Sequence, residues 1–203
     1  MKRTIFNCGF WLLLFAMVWG TSAAAAQKDI AGVLQADSLS AADVVQVKTA
    51  WSVDRARPGD PVALAVVIDI QDGIHINADA SQVQPFEDFK PYPTKVQPVA
   101  ATEGVTIEAA RFPRAIPVKV DYASGALMSF EGRAIIYLPM KLDAQITPGI
   151  IELELTVAYQ ACSDTYCLFP QKKRIKETLS IIETGAAVST INEELFIDLL
   201  SGS

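Results

Sequence analysis

Residues 62–70 read Val62-Ala63-Leu64-Ala65-Val66-Val67-Ile68-Asp69-Ile70. This is a dense β-branched run, short enough for a strand and too apolar for one wet face. It suits a strand buried on both sides or at a sandwich core. Turn chemistry bounds it. Arg57-Pro58-Gly59-Asp60 precedes it, with proline setting φ and glycine accepting positive φ, and Asp72-Gly73 follows.

Working outward, Val44 to Val53 alternates and is rich in Val, Thr and Trp, the pattern of a half-buried strand. Further β-rich segments are 95–99, 105–110, 118–122, 134–142, 150–160 and 174–182. Gly104, Pro113, Pro117, Gly125, Gly132 and Pro148-Gly149 punctuate them. Residues 78–94 hold Pro85, Pro91 and Pro93 and read as a long loop. No long stretch of this body has helical period. The chain is therefore predicted to be all-β, an antiparallel immunoglobulin-like β-sandwich over residues 44–184. In the tail, 185–203, Thr190-Ile191-Asn192-Glu193 is a capping-box pattern. Ile191, Leu195, Phe196, Leu199 and Leu200 follow on one helical face, so a short amphipathic helix is expected there. It either packs on the sandwich or docks a partner.

The start of the chain is different. Lys2 and Arg3, the apolar run from Phe10 to Trp19 and the small residues Ser22 to Ala26 form the grammar of a secretory signal, residues 1–26. Residues 27–43 read as a flexible lead-in. The whole chain carries 17 basic and 23 acidic side chains, a net charge of −6, and removing a signal with two bases and no acid makes the remainder more acidic still. That balance argues against nucleic acid or anionic lipid as partner. Nothing after residue 26 approaches the length of a membrane span. The expectation is an exported, soluble protein.

Cys8 falls in the signal, leaving Cys162 and Cys167, an even count in a chain bound for an oxidising compartment. They lie in Ala158-Tyr159-Gln160-Ala161-Cys162-Ser163-Asp164-Thr165-Tyr166-Cys167-Leu168-Phe169-Pro170, between two predicted strands. A hairpin-like turn brings Cα atoms within bridging distance. A six-residue ring stabilises by only about 2.2 kcal/mol on the loop-entropy model, against about 4.7 for a 100-residue loop. A domain with its own core gains little from so local a staple, whereas a bond meant to open and close disturbs little when it is reduced. Exchange-active is thus the favoured reading and a structural disulfide the alternative. Zinc lacks ligands, since His75 is the sole histidine. No metal and no other cofactor is called for, and no spacing of Asp or Glu supports a hydrolase.

The segment Tyr159-Gln160-Ala161-Cys162, with Cys167 and then Pro170, resembles the N-terminal periplasmic domain of the thiol:disulfide interchange protein DsbD. Asp72-Gly73 before His75, and Phe130-Glu131-Gly132-Arg133 before a strand, add to the likeness, which spans roughly Val44 to Ile182. The resemblance implies a periplasmic sandwich with the pair in a partly open site. It implies electron transfer between a membrane thiol reductase and periplasmic thioredoxin-like or disulfide isomerase proteins, with a link to cytochrome c biogenesis. Partners would engage Cys167, and Cys162 would resolve. A phenylalanine on a cap loop would shield the pair, and Phe130 is the matching position. This chain departs from the best-known members in having four residues between the cysteines where they have five, and His75 and Asn77 where they have tyrosines. It also lacks the membrane and thioredoxin-like domains of the full-length protein, which points to a free-standing shuttle with a separately encoded membrane donor.

Neighbouring residues have two readings each. Asp164 is either a charge that raises a thiol pKa or a turn residue capping an amide. Lys172, Lys173 and Arg174 either favour a thiolate or form a solvated strand end. His75 is either a proton donor near the sulfurs or an ordinary loop histidine, and Phe130 either a cover or core packing. Tyr159 and Tyr166 flank the pair as candidate walls, Tyr159 equally a core residue. Against the exchange protein stands a non-catalytic binding module whose Cys162–Cys167 bond braces a loop.

Overall fold

The computed structural model describes residues 40–87 and 89–201. The segment expected to be a secretory signal, 1–26, and most of the expected lead-in, 27–39, lie outside the described residues. Eleven strands follow a one-turn helix α1, Ala41–Val44: β1 Val45–Trp51, β2 Pro61–Ile70, β3 His75–Asn77, β4 Lys95–Pro98, β5 Val105–Ile107, β6 Ile116–Val118, β7 Leu127–Glu131, β8 Arg133–Leu142, β9 Gly149–Tyr159, β10 Ala161–Cys162 and β11 Gln171–Ile181. A 3-10 turn, Glu193–Leu195, and helix α2, Ile197–Ser201, close the chain. Among the described residues no helix is long and apolar enough to cross a membrane.

The strands form an all-β, immunoglobulin-like antiparallel sandwich. Sheet β1-β2-β8-β5 and sheet β11-β9-β4 share one core. Val62, Leu64, Val66 and Ile68 of β2 meet Ile136, Leu138 and Met140 of β8 there, together with Leu153, Leu155 and Val157 of β9. A third sheet, β10-β3-β7-β6, extends the first two at one end. A single residue, Gln160, separates β10 from β9, and Gly132 alone separates β7 from β8. Gly132 has φ 62°, and a Cβ there would meet no atom within 4 Å. Backbone conformation, not crowding, therefore asks for glycine. Its carbonyl accepts a 2.6 Å hydrogen bond from Ile70 N, at the start of the turn that leads into β3.

The β2 run is buried on both faces, as its sequence predicts. One face fills the main core. On the other, Ala63, Ala65 and Val67 lie with Tyr137 under Phe196, Leu195 and Leu199 of the tail. The small alanines leave room for the Phe196 ring, which lies 5.8 Å from that of Tyr137. Tyr137 Oη donates to Leu195 O at 2.6 Å, and Asn192 Nδ2 donates to Trp51 O at 2.9 Å.

Several sequence expectations are corrected here. Ala41 and Val44 are buried in the main core, so residues 41–43 belong to the folded body and not to a flexible lead-in. The tail falls in the same compact unit as the sandwich. Its capping box does not open a helix at Thr190. Thr190 is drawn into a bridge with Val53, its hydroxyl donates to Glu193 Oε1, and Asn192 turns left-handed at φ 54°. Helical geometry therefore begins only at Glu193. Strands β3, β7 and β10 do not stand out in the sequence, and the segment expected at 118–122 is a strand only to Val118.

Candidate functional site

The cysteine site lies on the third sheet, and the register fixes which side chains share its faces. Side chains alternate along a strand. Ala161, Ile76 and Phe130 form one cross-strand row and belong to the main core. Cys162, His75 and Glu131 form the adjacent row, on the opposite face. Asn77 and Ser129 are the next pair on that same face. Both are buried, and Asn77 Oδ1 and Ser129 Oγ have no hydrogen-bond partner, so this face is polar where the other is oily.

Cys162 and Cys167 oppose each other across a tight hairpin. Ser163 N donates to Tyr166 O and Leu168 N donates to Ala161 O, both at 2.8 Å. These two bonds flank the cysteines, which therefore occupy a non-hydrogen-bonded pair, the position where antiparallel Cα atoms come closest, about 4.5 Å. The Cα atoms here are 4.0 Å apart and the sulfurs form a disulfide. Ser163 caps the turn, its Oγ accepting from Thr165 N at 3.3 Å and Tyr166 N at 3.2 Å. Gln160 Nε2 steadies the base of the hairpin by donating to Leu168 O at 3.0 Å.

The turn is also tied to the loop between β6 and β7. Asp121 N donates to Asp164 O at 2.8 Å, and this contact sets the next residue, Tyr122, over the disulfide. Tyr122 Oη lies 3.4 Å from Cys167 Sγ and 3.4 Å from His75 Nε2. The sulfur of a disulfide carries no proton, so a bond between that pair runs from the hydroxyl. The Tyr122 ring packs 5.2 Å from Phe89 of the long 78–94 loop, in a small apolar cluster with Phe86, Val118, Val120 and Leu127.

Electrostatics sharpen the picture. Burial pushes the Tyr122 phenol up to about 12, and the Asp164 charge adds to the rise. Burial pushes His75 below its ordinary value of 6.5, with Asp164 acting partly against it. At neutral pH the phenol therefore keeps its proton and the imidazole is uncharged. The two sulfurs differ in access. Cys162 is fully buried, Cys167 is partly exposed, and the rim beside it carries Tyr166 at 47% and Phe169 at 89% exposure.

Of the residues singled out in the sequence, Cys162, Cys167, His75 and Asp164 converge here, with Tyr166 at the rim. Tyr159 is core. Phe130 does not cover the sulfurs: it lies in β7, is 4% exposed, and faces the main core on the other side of the sheet. The aromatic beside the sulfur is Tyr122. Lys173 donates to Val47 O and Arg174 pairs with Glu154, so neither is committed to the pair. Asp164 does not cap the turn, since Ser163 does. Among the described residues no group of three or more His, Cys, Asp or Glu is placed to hold a metal.

Fold and site define a class: an immunoglobulin-like sandwich with a cysteine pair closed across a hairpin, one sulfur inside and one at the surface. Residues 41–179 match the family described as thiol:disulfide interchange protein DsbD, N-terminal, and the chain belongs to that family. Membership places it among proteins involved in thiol–disulfide exchange. The DsbD N-terminal domain of Neisseria meningitidis in its reduced form is similar at 15% identity and a TM-score of 0.42, over 76% of this chain and 96% of that one. The N-terminal periplasmic domain of ScsB from Proteus mirabilis is similar at 12% identity and a TM-score of 0.45, over 66% of this chain and 46% of that one. No curated protein matches the chain. The family match, not these distant likenesses, carries the assignment.

Proposed function

We propose that the protein is a periplasmic thiol–disulfide exchange protein. It passes electrons between a separately encoded membrane thiol reductase and exported thioredoxin-like or disulfide isomerase proteins, through Cys162 and Cys167. The unequal access of the two sulfurs carries this reading. A partner reaches Cys167 and cannot reach Cys162, which is the asymmetry that a mixed-disulfide mechanism needs. Cys162 then resolves the mixed disulfide from inside. The hairpin keeps its flanking backbone hydrogen bonds without the S–S bond, so opening it costs little structure. This counts against a bond whose task is to brace a loop. Tyr122, backed by Phe89, shields the pair from stray oxidants and reductants, and the exposed Tyr166 and Phe169 offer a partner apolar contact beside Cys167.

Trapping tests the proposal. Cys162→Ser, incubated with an oxidised thioredoxin-like protein, is expected to accumulate a lasting mixed disulfide through Cys167. Cys167→Ser is expected to form none and to transfer no electrons. Absence of a mixed disulfide with both variants, from both reduced and oxidised partners, would overturn it.

A further inference from the structure

A single hydroxyl, Tyr122 Oη, stands 3.4 Å from the outer sulfur and 3.4 Å from the buried imidazole. We propose that His75 is a positioning residue for exchange: in the reduced protein its Nε2–H donates to Tyr122 Oη, holding the phenolic O–H on Cys167 Sγ and stabilising the thiolate there. The proposal rests on the reading of Cys167 as the attacking sulfur.

The phenol has one proton to give and lone pairs to fill. Opposite a neutral disulfide, whose sulfur is a weak acceptor, the hydroxyl favours the imidazole nitrogen wherever that nitrogen carries no proton. Once the bond opens and Cys167 ionises, the sulfur is a charged acceptor, and hydrogen bonds to charged acceptors are roughly twice as strong as neutral ones. The O–H then belongs on sulfur, and its oxygen needs a donor behind it. His75 is 1% exposed, and its Nε2 is at that oxygen. The charges around it oppose a thiolate. Asp164 approaches from the hairpin turn and acts on both Tyr122 and His75. Glu131 is the cross-strand neighbour of His75 on β7, and Asp121 precedes Tyr122 on the loop. Lys173 and Arg174 are engaged elsewhere. A relay of two neutral donors is thus a local means of offsetting the Asp164 charge.

The chemistry balances without adding an atom. The Cys167 thiol loses its proton to solvent, and the thiolate attacks one sulfur of a partner disulfide. The Cys167–partner S–S bond forms and the partner's own S–S bond breaks, its other sulfur leaving as thiolate. Cys162 gives up its proton and attacks Cys167 Sγ. The Cys162–Cys167 bond forms and the partner leaves with its second thiolate. Two electrons have passed to the partner, whose thiolates take up two protons in place of those the cysteines released. The relay stabilises charge on Cys167 before the first attack, and on the same sulfur as leaving group in the reverse direction.

The test is the pH profile of iodoacetamide alkylation at Cys167, read on its own peptide by mass spectrometry, in reduced protein carrying Cys162→Ser. Adding Tyr122→Phe is expected to raise the Cys167 pKa by about one unit, leaving about tenfold less thiolate at neutral pH. His75→Leu is expected to do nearly the same, but to add nothing once Tyr122→Phe is present. His75→Gln, which keeps an N–H donor near the same place, is expected to restore most of the effect. An unchanged pKa in Tyr122→Phe overturns the relay, and so does a His75→Leu effect that persists in full without the hydroxyl. Should His75→Leu fail to fold, Tyr122→Phe and His75→Gln decide the matter: the relay requires a raised pKa in the first and a near-normal one in the second. Alkylation needs no partner, so the relay can fail while mixed-disulfide trapping succeeds, and the reverse.

Discussion

His75 shows how far one side chain is committed by its surroundings. It is enclosed between β10, β7 and Tyr122, and burial holds its pKa below 6.5. An unfolded chain takes up the histidine proton near 6.5, whereas the native state takes it up only at lower pH. Between those values the unfolded state binds more protons, so stability falls as pH drops through the window and levels off below the native value. Asp69, held low by its hydrogen bond from Arg133, loses its contribution only at lower pH still. The midpoint of urea unfolding of the oxidised protein is therefore expected to fall as the pH drops from neutral through 6.5, and His75→Gln is expected to flatten that slope. An equal slope in the variant would mean that His75 protonates freely in the folded protein. At this scale the cysteine pair was legible, because two cysteines across a predicted turn are a local signal. Tyr122 was not: it is 45 residues from Cys167, and tertiary contacts bring it there, the Asp121–Asp164 backbone hydrogen bond between two loops and packing on Phe89. Phe130 misled for the complementary reason. Its proximity to Gly132 suggests a loop, but the register of β3 and β7 turns it into the core.

Among the elements, β2 explains why the tail matters. A strand with one solvated face would alternate, and β2 does not, because Ala63, Ala65 and Val67 are covered by the tail's Phe196, Leu195 and Leu199. Phe196 is 2% exposed, and truncating so buried a ring typically costs about 3 kcal/mol. Phe196→Ala is expected to undock the tail. Limited proteolysis should then cut between residues 185 and 201 much faster, while the Cys162–Cys167 potential stays unchanged, since the hydrogen bonds around Cys167, Tyr122 and His75 are made by residues of the sandwich. Unaltered protease resistance would show that the hydrogen bonds from Ile191 N to Ser52 O and from Asn192 Nδ2 to Trp51 O suffice to hold it. The long strands β1, β2, β8, β9 and β11 were legible because each is an extended β-rich run between turn residues. The short strands β3, β7 and β10 were not. β3 and β10 hold three and two residues and carry no periodicity, and β7 runs straight into the left-handed bend at Gly132, which reads as a turn with no strand on either side. The tail helix was legible in kind but not in extent, because Thr190 and Asn192 are claimed by β1 and its following bend.

At the largest scale, the described residues form a sandwich that carries one disulfide on its third sheet. The sheets fix β3, β7 and β10, these fix His75 and Cys162, and the hairpin delivers Cys167 towards the surface on a turn closed by its own backbone hydrogen bonds on either side of the sulfurs. Such an arrangement separates the stability of the fold from the redox state of the pair, which is what a carrier requires and a stapled domain does not. The central claim is that the bond exchanges under physiological poise. Its most direct test is the redox equilibrium of the protein in glutathione buffers, read by alkylation of Cys162 and Cys167. The account predicts a potential between about −180 and −270 mV, the range of known exchange proteins. A bond that stays closed below about −300 mV, as structural disulfides of secreted proteins do, would contradict it.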